Sequence, residues 1–315
     1  MPRYNITHVR RFRLLFSDYI KNCRAKYKLT QEDFVDQLRE YDDIFAALDT
    51  VTLSRWERDI THPNIKRQTS ILRYFKNRYG RYLSCMQTSD IESEKEQILQ
   101  RLSQYTLKNT KELILNFPSQ NIATDDLKIT KLTEFQEYEQ IINISLGLNQ
   151  EFTSNLSKLD FKHFLHFANQ ESASFYICTY QEQFFGLCFS LHLKDKAFED
   201  LLEHKLKEED ITSEHFVKDN EEGSIYLLNF FAHAPKVASV LFLKFYNEIL
   251  QKQEYIHEVG GGSIIQDGKK LLQNLNLKHH KTCTVKKFQI DFYKTSLQDF
   301  LINQNTLKVF FTKRS

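Results

Sequence analysis

The sequence predicts an all-α domain followed by an α+β domain. Two observations divide the 315-residue chain in this way. Up to about residue 85, apolar residues recur every three or four positions, which is the period of amphipathic helices. From Leu127 onward, helical stretches alternate with short apolar runs that are typical of strands. We therefore place the first domain at 1–85, a helical and loop connector at 86–126 and the second domain at 127–315.

The balance of basic and acidic side chains changes near the boundary of the first domain. The whole chain has 43 Lys and Arg against 41 Asp and Glu, so its net charge says little. Residues 1–82 contain 17 basic and 10 acidic side chains, whereas residues 83–315 contain 26 and 31. A basic first quarter on an acidic remainder favours contact of the N-terminal domain with a polyanion. The alternative is a chance asymmetry.

The patterns of cysteine, histidine and hydropathy argue against several other classes of protein. The five cysteines form no C-x-x-C pair, so we expect neither a metal finger nor a disulfide framework, and we expect a reducing compartment. His163 and His166 have helical spacing but no third ligand, so no metal is expected. The start has no apolar run after its charges, and no apolar stretch is long enough to span a bilayer. We expect a cytoplasmic protein without a membrane partner.

Four helices are expected in the first domain, three of them with a recognisable N-cap. An apolar stripe from Phe12 to Cys23 indicates the first helix. Thr30 is a good N-cap for the second helix, with Asp33 placed to complete a capping box. Asp49 and Asn64 are expected to cap the third and fourth helices, and Leu53 and Trp56 to face inward from the third.

The residues of the second and third helices carry a resemblance to a known family. Leu-Thr-Gln-Glu-Asp-Phe from Leu29 and Ser-Arg-Trp-Glu-Arg from Ser54, taken together, resemble the Cro/CI (XRE) helix-turn-helix regulators. In that family the third helix enters the major groove of DNA. The resemblance implies base contacts from Thr50, Val51, Ser54 and Arg55, phosphate contacts from Gln31, Arg58, Lys66 and Arg67, and a structural salt bridge between Arg24 and Glu57.

One departure from the family concerns the turn between the two helices of the motif. The segment Arg39–Leu48 makes this connection longer by about eight residues. We expect its Ile44–Leu48 stretch to form an extra helical turn or an extended helix, and to change the tilt of the recognition helix. The alternative to DNA binding is a plain helical bundle whose basic side chains are only solvated.

The second domain is expected to alternate between helices and strands. Apolar alternation and continuous apolar runs predict strands at 127–132, 174–180, 184–191, 224–232, 255–259, 284–293 and 307–311. Helical periodicity predicts helices at 134–145, 156–168, 194–209, 236–252 and 266–275. A β-hairpin is expected to turn at Gln181.

This order of elements is similar to the GNAT acyltransferase fold, which implies a mixed central sheet with flanking helices. Leu-Lys-Ile-Thr-Lys-Leu-Thr-Glu-Phe from Leu127 and the helix from Gly268 also resemble GNAT segments. In that family a glycine-rich turn binds the pyrophosphate of acetyl-CoA through backbone N–H groups.

The corresponding stretch of this chain lacks those glycines. The residues that take the place of the turn are Lys236, Val237, Ala238 and Ser239, which we interpret as a vestigial cofactor loop. Pro235 removes a further backbone donor. Gly260–Gly262 comes after the next strand and is interpreted as a flexible turn. No cofactor is expected, and acetyl-CoA is the less favoured alternative.

The sequence as a whole predicts a sequence-specific DNA-binding transcription regulator of the repressor type, associated with the nucleoid. Its partners would be double-stranded DNA and a second copy of the chain, because one helix-turn-helix makes few base contacts. The second domain would dimerise, or bind a small-molecule or protein effector. The alternatives are an active acyl-CoA-dependent N-acetyltransferase with a DNA-targeting domain, and an antitoxin-type module that binds a protein.

Overall fold

The computed structural model describes residues 15–83, 91–92, 94–110, 122–134, 138–153 and 158–311. The chain divides into two compact units, Met1–Ile98 with Leu307–Ser315, and Leu99–Thr306. Part of the predicted connector (86–90, 93 and 111–121) and the start of the predicted first helix lie outside the described residues. Among the helices described, none is long and apolar enough to cross a membrane.

The first unit is helical, as predicted. Its helices are α1 (Phe16–Lys26), α2 (Gln31–Tyr41), α3 (Thr50–Glu57) and α4 (Ile65–Tyr79), and α5 (Lys95–Tyr105) spans the division between the units. The three predicted N-caps are confirmed. Thr30 and Asp33 form a capping box, and the side chains of Asp49 and Asn64 accept hydrogen bonds from the third residue of α3 and of α4.

The segment inserted between α2 and α3 is part of the helical core. Helix α2 continues to Tyr41, and a short 3-10 turn follows at Asp43–Phe45. Phe45 and Leu48 are fully buried because the turn folds back over the helices. The inserted segment therefore contains both the last residues of α2 and an extra turn of the 3-10 type.

The second unit contains a mixed seven-stranded sheet. The strands are β1 (Leu127–Lys131), β2 (Ala173–Tyr180), β3 (Gln183–Leu193), β4 (Gly223–Ala232), β5 (Ile256–Ser263), β6 (Lys278–Val285) and β7 (Phe288–Ser296). Their spatial order is β1-β2-β3-β4-β5-β7-β6. Only the β4–β5 pair is parallel, and the other pairs are antiparallel. The hairpin between β2 and β3 turns at Gln181 and Glu182, as expected.

Helices cover both faces of this sheet. They are α6 (Tyr138–Thr153), α7 (Phe161–Ala168), α8 (Asp195–Leu202), α9 (Pro235–Gln251), α10 (Gln266–Asn274) and α11 (Leu297–Leu301), and α12 (Gln304–Phe310) crosses the division between the units. On β3, Phe189 packs against Phe164 of α7. A side chain at Gly186 would instead meet Val237 of α9, on the opposite face. The mixed sheet with flanking helices is the frame that the acyltransferase resemblance implies.

Three predicted elements are wrong. The predicted strand at 284–293 is two strands, β6 and β7, because the chain reverses at Lys286, whose φ of 55° marks a turn without glycine. Residues 307–310 belong to a helix whose start is capped by Asn303, which accepts from the N–H groups of Asn305 and Thr306. The helix predicted at 194–209 ends at Leu202, shortly before His204 adopts a positive φ of 55°.

The Gly260–Gly262 run is not a flexible turn. It lies inside β5 and is paired with β7 along its whole length. A Cβ atom at Gly260 would lie 2.8 Å from the ring of Phe198 and 2.9 Å from the carbonyl oxygen of Tyr293. The glycines are therefore required by the close approach of aromatic side chains and backbone.

Candidate nucleic-acid interface

Helix α3 has a buried face and an exposed face. Leu53 and Trp56 are buried in the helical core, 0 and 3 % exposed. The helix begins at Thr50, where the carboxylate of Asp49 accepts a hydrogen bond from the Thr52 N–H at 2.7 Å. This cap fixes the first turn of the helix and leaves its outer side open to solvent.

The four predicted base-contacting residues lie together on that outer side. Their positions follow the i, i+1, i+4, i+5 spacing that places side chains on one helix face. Thr50, Val51 and Arg55 are exposed, and Ser54 is half-buried between them. Val51 is 55 % exposed, which is unusual for a large aliphatic side chain in this unit. The surface combines a guanidinium, two hydroxyls and one aliphatic group.

A partly buried ion pair connects the end of α3 to α1. Arg24 Nε donates to Glu57 Oε1 at 2.7 Å, and Arg24 Nη2 donates to Glu57 Oε2 at 3.1 Å. Gln31 Nε2 donates to the same Oε2 at 2.7 Å. Arg24 also donates to the carbonyl of Leu29, which precedes α2. Three helices are therefore joined at the single carboxylate of Glu57.

The four predicted phosphate-contacting residues are found in two different situations. Arg58, the C-cap residue of α3, and Lys66, in the first turn of α4, are exposed. Gln31 is half-buried, with its amide on Glu57, and Arg67 is half-buried, with its Nε 3.3 Å from the carbonyl oxygen of Ile44. The sequence pattern did not reveal these internal contacts, because they depend on tertiary packing.

Ile60 is an exposed residue that sequence reasoning missed. It is 59 % exposed in the loop that follows α3. The loop is held by a hydrogen bond from the Ile60 N–H to the Arg55 carbonyl at 2.9 Å, after Asp59 adopts a φ of 60°. Its exposure depends on this loop conformation, and a positive φ at aspartate leaves no clear mark in a sequence.

The residues predicted as a vestigial cofactor loop form the first turn of α9. Val237, Ala238 and Ser239 are fully buried, and the Lys236 ammonium donates to the carbonyl of Ile122 at 2.9 Å. Pro235 is the first residue of the helix and has no N–H group. These residues do not fit the pyrophosphate of acetyl-CoA, since the one cation is already bonded to a carbonyl and a backbone donor is missing.

The neighbouring strands nevertheless separate near this helix. Parallel pairing of β4 with β5 ends at Leu227 and Gly261. Beyond that point β4 pairs only with β3, and its register shifts by one residue beside Phe189 and Ser190. The ends of β4 and β5 therefore diverge at the end of the sheet where α9 begins.

A carboxyl–phenol pair, in which Tyr226 is buried and Glu208 is half-buried, lies on the opposite face of β4. The Tyr226 hydroxyl donates to Glu208 Oε1 at 2.9 Å, and Tyr226 is 2 % exposed. Burial raises the pKa of Glu208 to about 7 and raises that of Tyr226 well above its usual value.

Within the described ranges, no group of three or more His, Cys, Asp or Glu side chains is arranged to hold a metal ion. His163 instead contacts Asp160 at 2.6 Å.

No protein-family model and no curated protein sequence matches this chain. Three solved structures illustrate what it is similar to. Naa50 of Arabidopsis thaliana, in complex with a bisubstrate analogue, is 12 % identical with a TM-score of 0.34, covering 54 % of this chain and 99 % of its own. FeeM, an N-acyl amino acid synthase from uncultured soil microbes, is 9 % identical with a TM-score of 0.38. The match covers 55 % of this chain and 96 % of the FeeM chain. The loading GNATL domain of CurA from Lyngbya majuscula is 9 % identical with a TM-score of 0.38. The match covers 55 % of this chain and 97 % of the GNATL domain chain.

Proposed function

We propose that this protein is a sequence-specific DNA-binding transcription regulator that reads DNA with α3. The observation that carries the proposal is the outer side of α3, where Thr50, Val51 and Arg55 are exposed together on a helix whose other side is buried. An α-helix with this arrangement fits the major groove of B-DNA.

Each exposed group has a base edge that suits it. The Arg55 guanidinium can donate two hydrogen bonds to O6 and N7 of one guanine. Val51 suits the methyl group of thymine, and the Thr50 hydroxyl accepts or donates at either kind of base pair. The exposed side chains of Arg58 and Lys66 would bind phosphates and add affinity that does not depend on sequence.

The proposal includes a dimer that binds a two-fold symmetric site. One recognition helix contacts only a few base pairs, whereas two half-sites about 34 Å apart multiply the specificity. The second unit would supply the contact between copies, or bind a small-molecule or protein effector that alters it.

Selection of bound sequences from a random DNA pool, followed by gel-shift titration, tests the proposal. We expect enrichment of a single motif with two-fold symmetry, and binding by the full-length chain at least about a thousandfold tighter than to scrambled DNA. Absence of an enriched motif would contradict sequence-specific binding. A motif without symmetry would contradict only the dimer.

A second candidate is an acyl-CoA-dependent N-acetyltransferase directed to DNA-bound targets. The divergence of β4 and β5 beyond Leu227 favours it, since it opens the sheet next to the start of a helix. The lack of fit at Lys236–Ser239 counts against it. Calorimetric titration of the full-length chain with acetyl-CoA separates the two: measurable heat of binding would support the enzyme, and none would support a non-catalytic second unit.

A further inference from the structure

Arg67 lies where the inserted segment, α3 and α4 meet. Its side chain extends from the first turn of α4. Nε donates to the carbonyl oxygen of Ile44 at 3.3 Å, and Ile44 belongs to the 3-10 turn of the inserted segment. The guanidinium carbon lies 5.8 Å from the ring centre of Trp56, on the buried face of α3. One side chain thus contacts both the insertion and the recognition helix.

Other contacts from α4 secure the same insertion. Ser70, one turn further along α4, donates to Asp42 Oδ2, while Asp42 Oδ1 accepts from the Ile44 N–H at 3.1 Å. The Tyr74 hydroxyl donates to Gln37 of α2. Helix α4 therefore fixes the end of α2 and the inserted turn along one side, and Arg67 is the residue of this set that also reaches α3.

From this geometry we propose that Arg67 is a positioning residue for DNA reading and not a phosphate contact. It holds the inserted turn through the Ile44 carbonyl and supports α3 through Trp56, which fixes the angle at which Val51 and Arg55 meet the bases. The inference rests on the proposed function. Recognition by hydrogen bonds requires a fixed angle, because a small rotation of the helix removes a bidentate contact.

The neighbouring residue Lys66 provides the contrast. It is exposed and charged but makes none of these contacts, so its expected role is a phosphate contact. A lost phosphate contact lowers affinity for all DNA and reduces the salt slope by about one. A lost positioning contact lowers affinity for the selected site alone and leaves the salt slope unchanged.

Trp56 makes the contact directly observable, since it is the only tryptophan in the chain. The experiment measures its fluorescence emission and acrylamide quenching in full-length wild type, Arg67→Ala, Arg67→Lys and Lys66→Ala. The same four proteins are titrated with the selected site and with scrambled DNA at several salt concentrations, after circular dichroism has confirmed that each is folded.

We expect Arg67→Ala to shift the Trp56 emission, to increase quenching and to weaken the selected site roughly tenfold, with unchanged binding to scrambled DNA. Arg67→Lys should resemble Arg67→Ala, because an ammonium lacks the planar Nε–H geometry. Lys66→Ala should leave the emission unchanged. The inference is overturned if Arg67→Lys restores full affinity, or if Arg67→Ala weakens all DNA equally with a lower salt slope. If no sequence is selected by the wild type but Arg67→Ala still shifts the emission, the proposed function has failed and the structural contact has not.

Discussion

Arg24 and Glu57 are joined by two parallel hydrogen bonds, of 2.7 and 3.1 Å, that connect α1 to the last residue of α3. The Glu57 side chain is only 5 % exposed, and that of Arg24 is 20 % exposed. The hydrogen bond to Glu57 raises the pKa of Arg24 above its usual value. Such a pair is costly to break, because the remaining charge is left buried without its partner.

We therefore expect Arg24→Ala to destabilise the N-terminal unit by about 3 kcal/mol. Chemical denaturation followed by Trp56 fluorescence measures this value, since Trp56 reports on the same unit. The matched control is Arg39→Ala, which removes an arginine from an exposed pair with Asp36 at 3.4 Å. This control should unfold at nearly the wild-type denaturant concentration. Equal unfolding midpoints for the two variants would show that the buried pair contributes nothing.

Arg55 and Lys66 are expected to affect DNA binding in different ways. Arg55→Ala should weaken the selected site by about 1 to 3 kcal/mol and relax the preference at one base pair, because a bidentate contact to guanine is lost. Lys66→Ala should weaken all sequences to a similar extent and reduce the salt slope by about one. Gel-shift titrations over a range of salt concentrations distinguish the two patterns. Unchanged binding by Arg55→Ala would mean that α3 is not the reading helix.

The sequence predicted the parts of the fold that depend on local chemistry. Thr30, Asp49 and Asn64 occupy the expected caps because a side-chain oxygen at the start of a helix satisfies a backbone donor nearby in sequence. Most strands of the sheet were also predicted, since apolar alternation reflects burial of one face. The hairpin at Lys286 was missed, because a positive φ at lysine carries none of the usual turn residues.

The contacts of the candidate site were less predictable, because they join residues that are far apart in the sequence. The hydrogen bond from Gln31 to Glu57 depends on how α2 and α3 pack, and that from Arg67 to the Ile44 carbonyl depends on how the insertion packs. Their residue types alone are equally suited to phosphates. Likewise, the role of Gly260 depends on Phe198 and on the backbone of β7, which lie far away in sequence.

The packing at Gly260 makes a direct prediction. Gly260→Ala should destabilise the second unit by about 1 to 3 kcal/mol, because the new methyl group would lie 2.8 Å from the Phe198 ring and 2.9 Å from the Tyr293 carbonyl oxygen. The control is Gly147→Ala on α6, where a Cβ would have no neighbour within 4 Å. That change should instead stabilise by up to about 1 kcal/mol, since alanine favours helices. Scanning calorimetry compares the two, and a stable Gly260→Ala variant would show that the sheet adjusts readily at β5.

Glu208 should make the stability of the second unit depend on pH. Its pKa is about 7 in the folded chain, because desolvation disfavours the carboxylate more than the hydrogen bond from Tyr226 favours it, and about 4.5 in the unfolded chain. Between these values the folded state holds a proton that the unfolded state has released, so unfolding becomes easier as pH rises from about 4.5 to 7 and levels off above 7.

The variant Glu208→Gln removes this dependence while keeping an acceptor for the Tyr226 hydroxyl. We expect it to be more stable than wild type at pH 8 by about 1 to 3 kcal/mol and nearly equal at pH 5. The control is Glu214→Gln, which changes an exposed glutamate and should leave the pH profile unchanged. Denaturation followed by circular dichroism at several pH values measures the difference. Parallel pH profiles for wild type and Glu208→Gln would show that Glu208 is ionised in the folded protein at neutral pH, and that Tyr226 donates to a carboxylate.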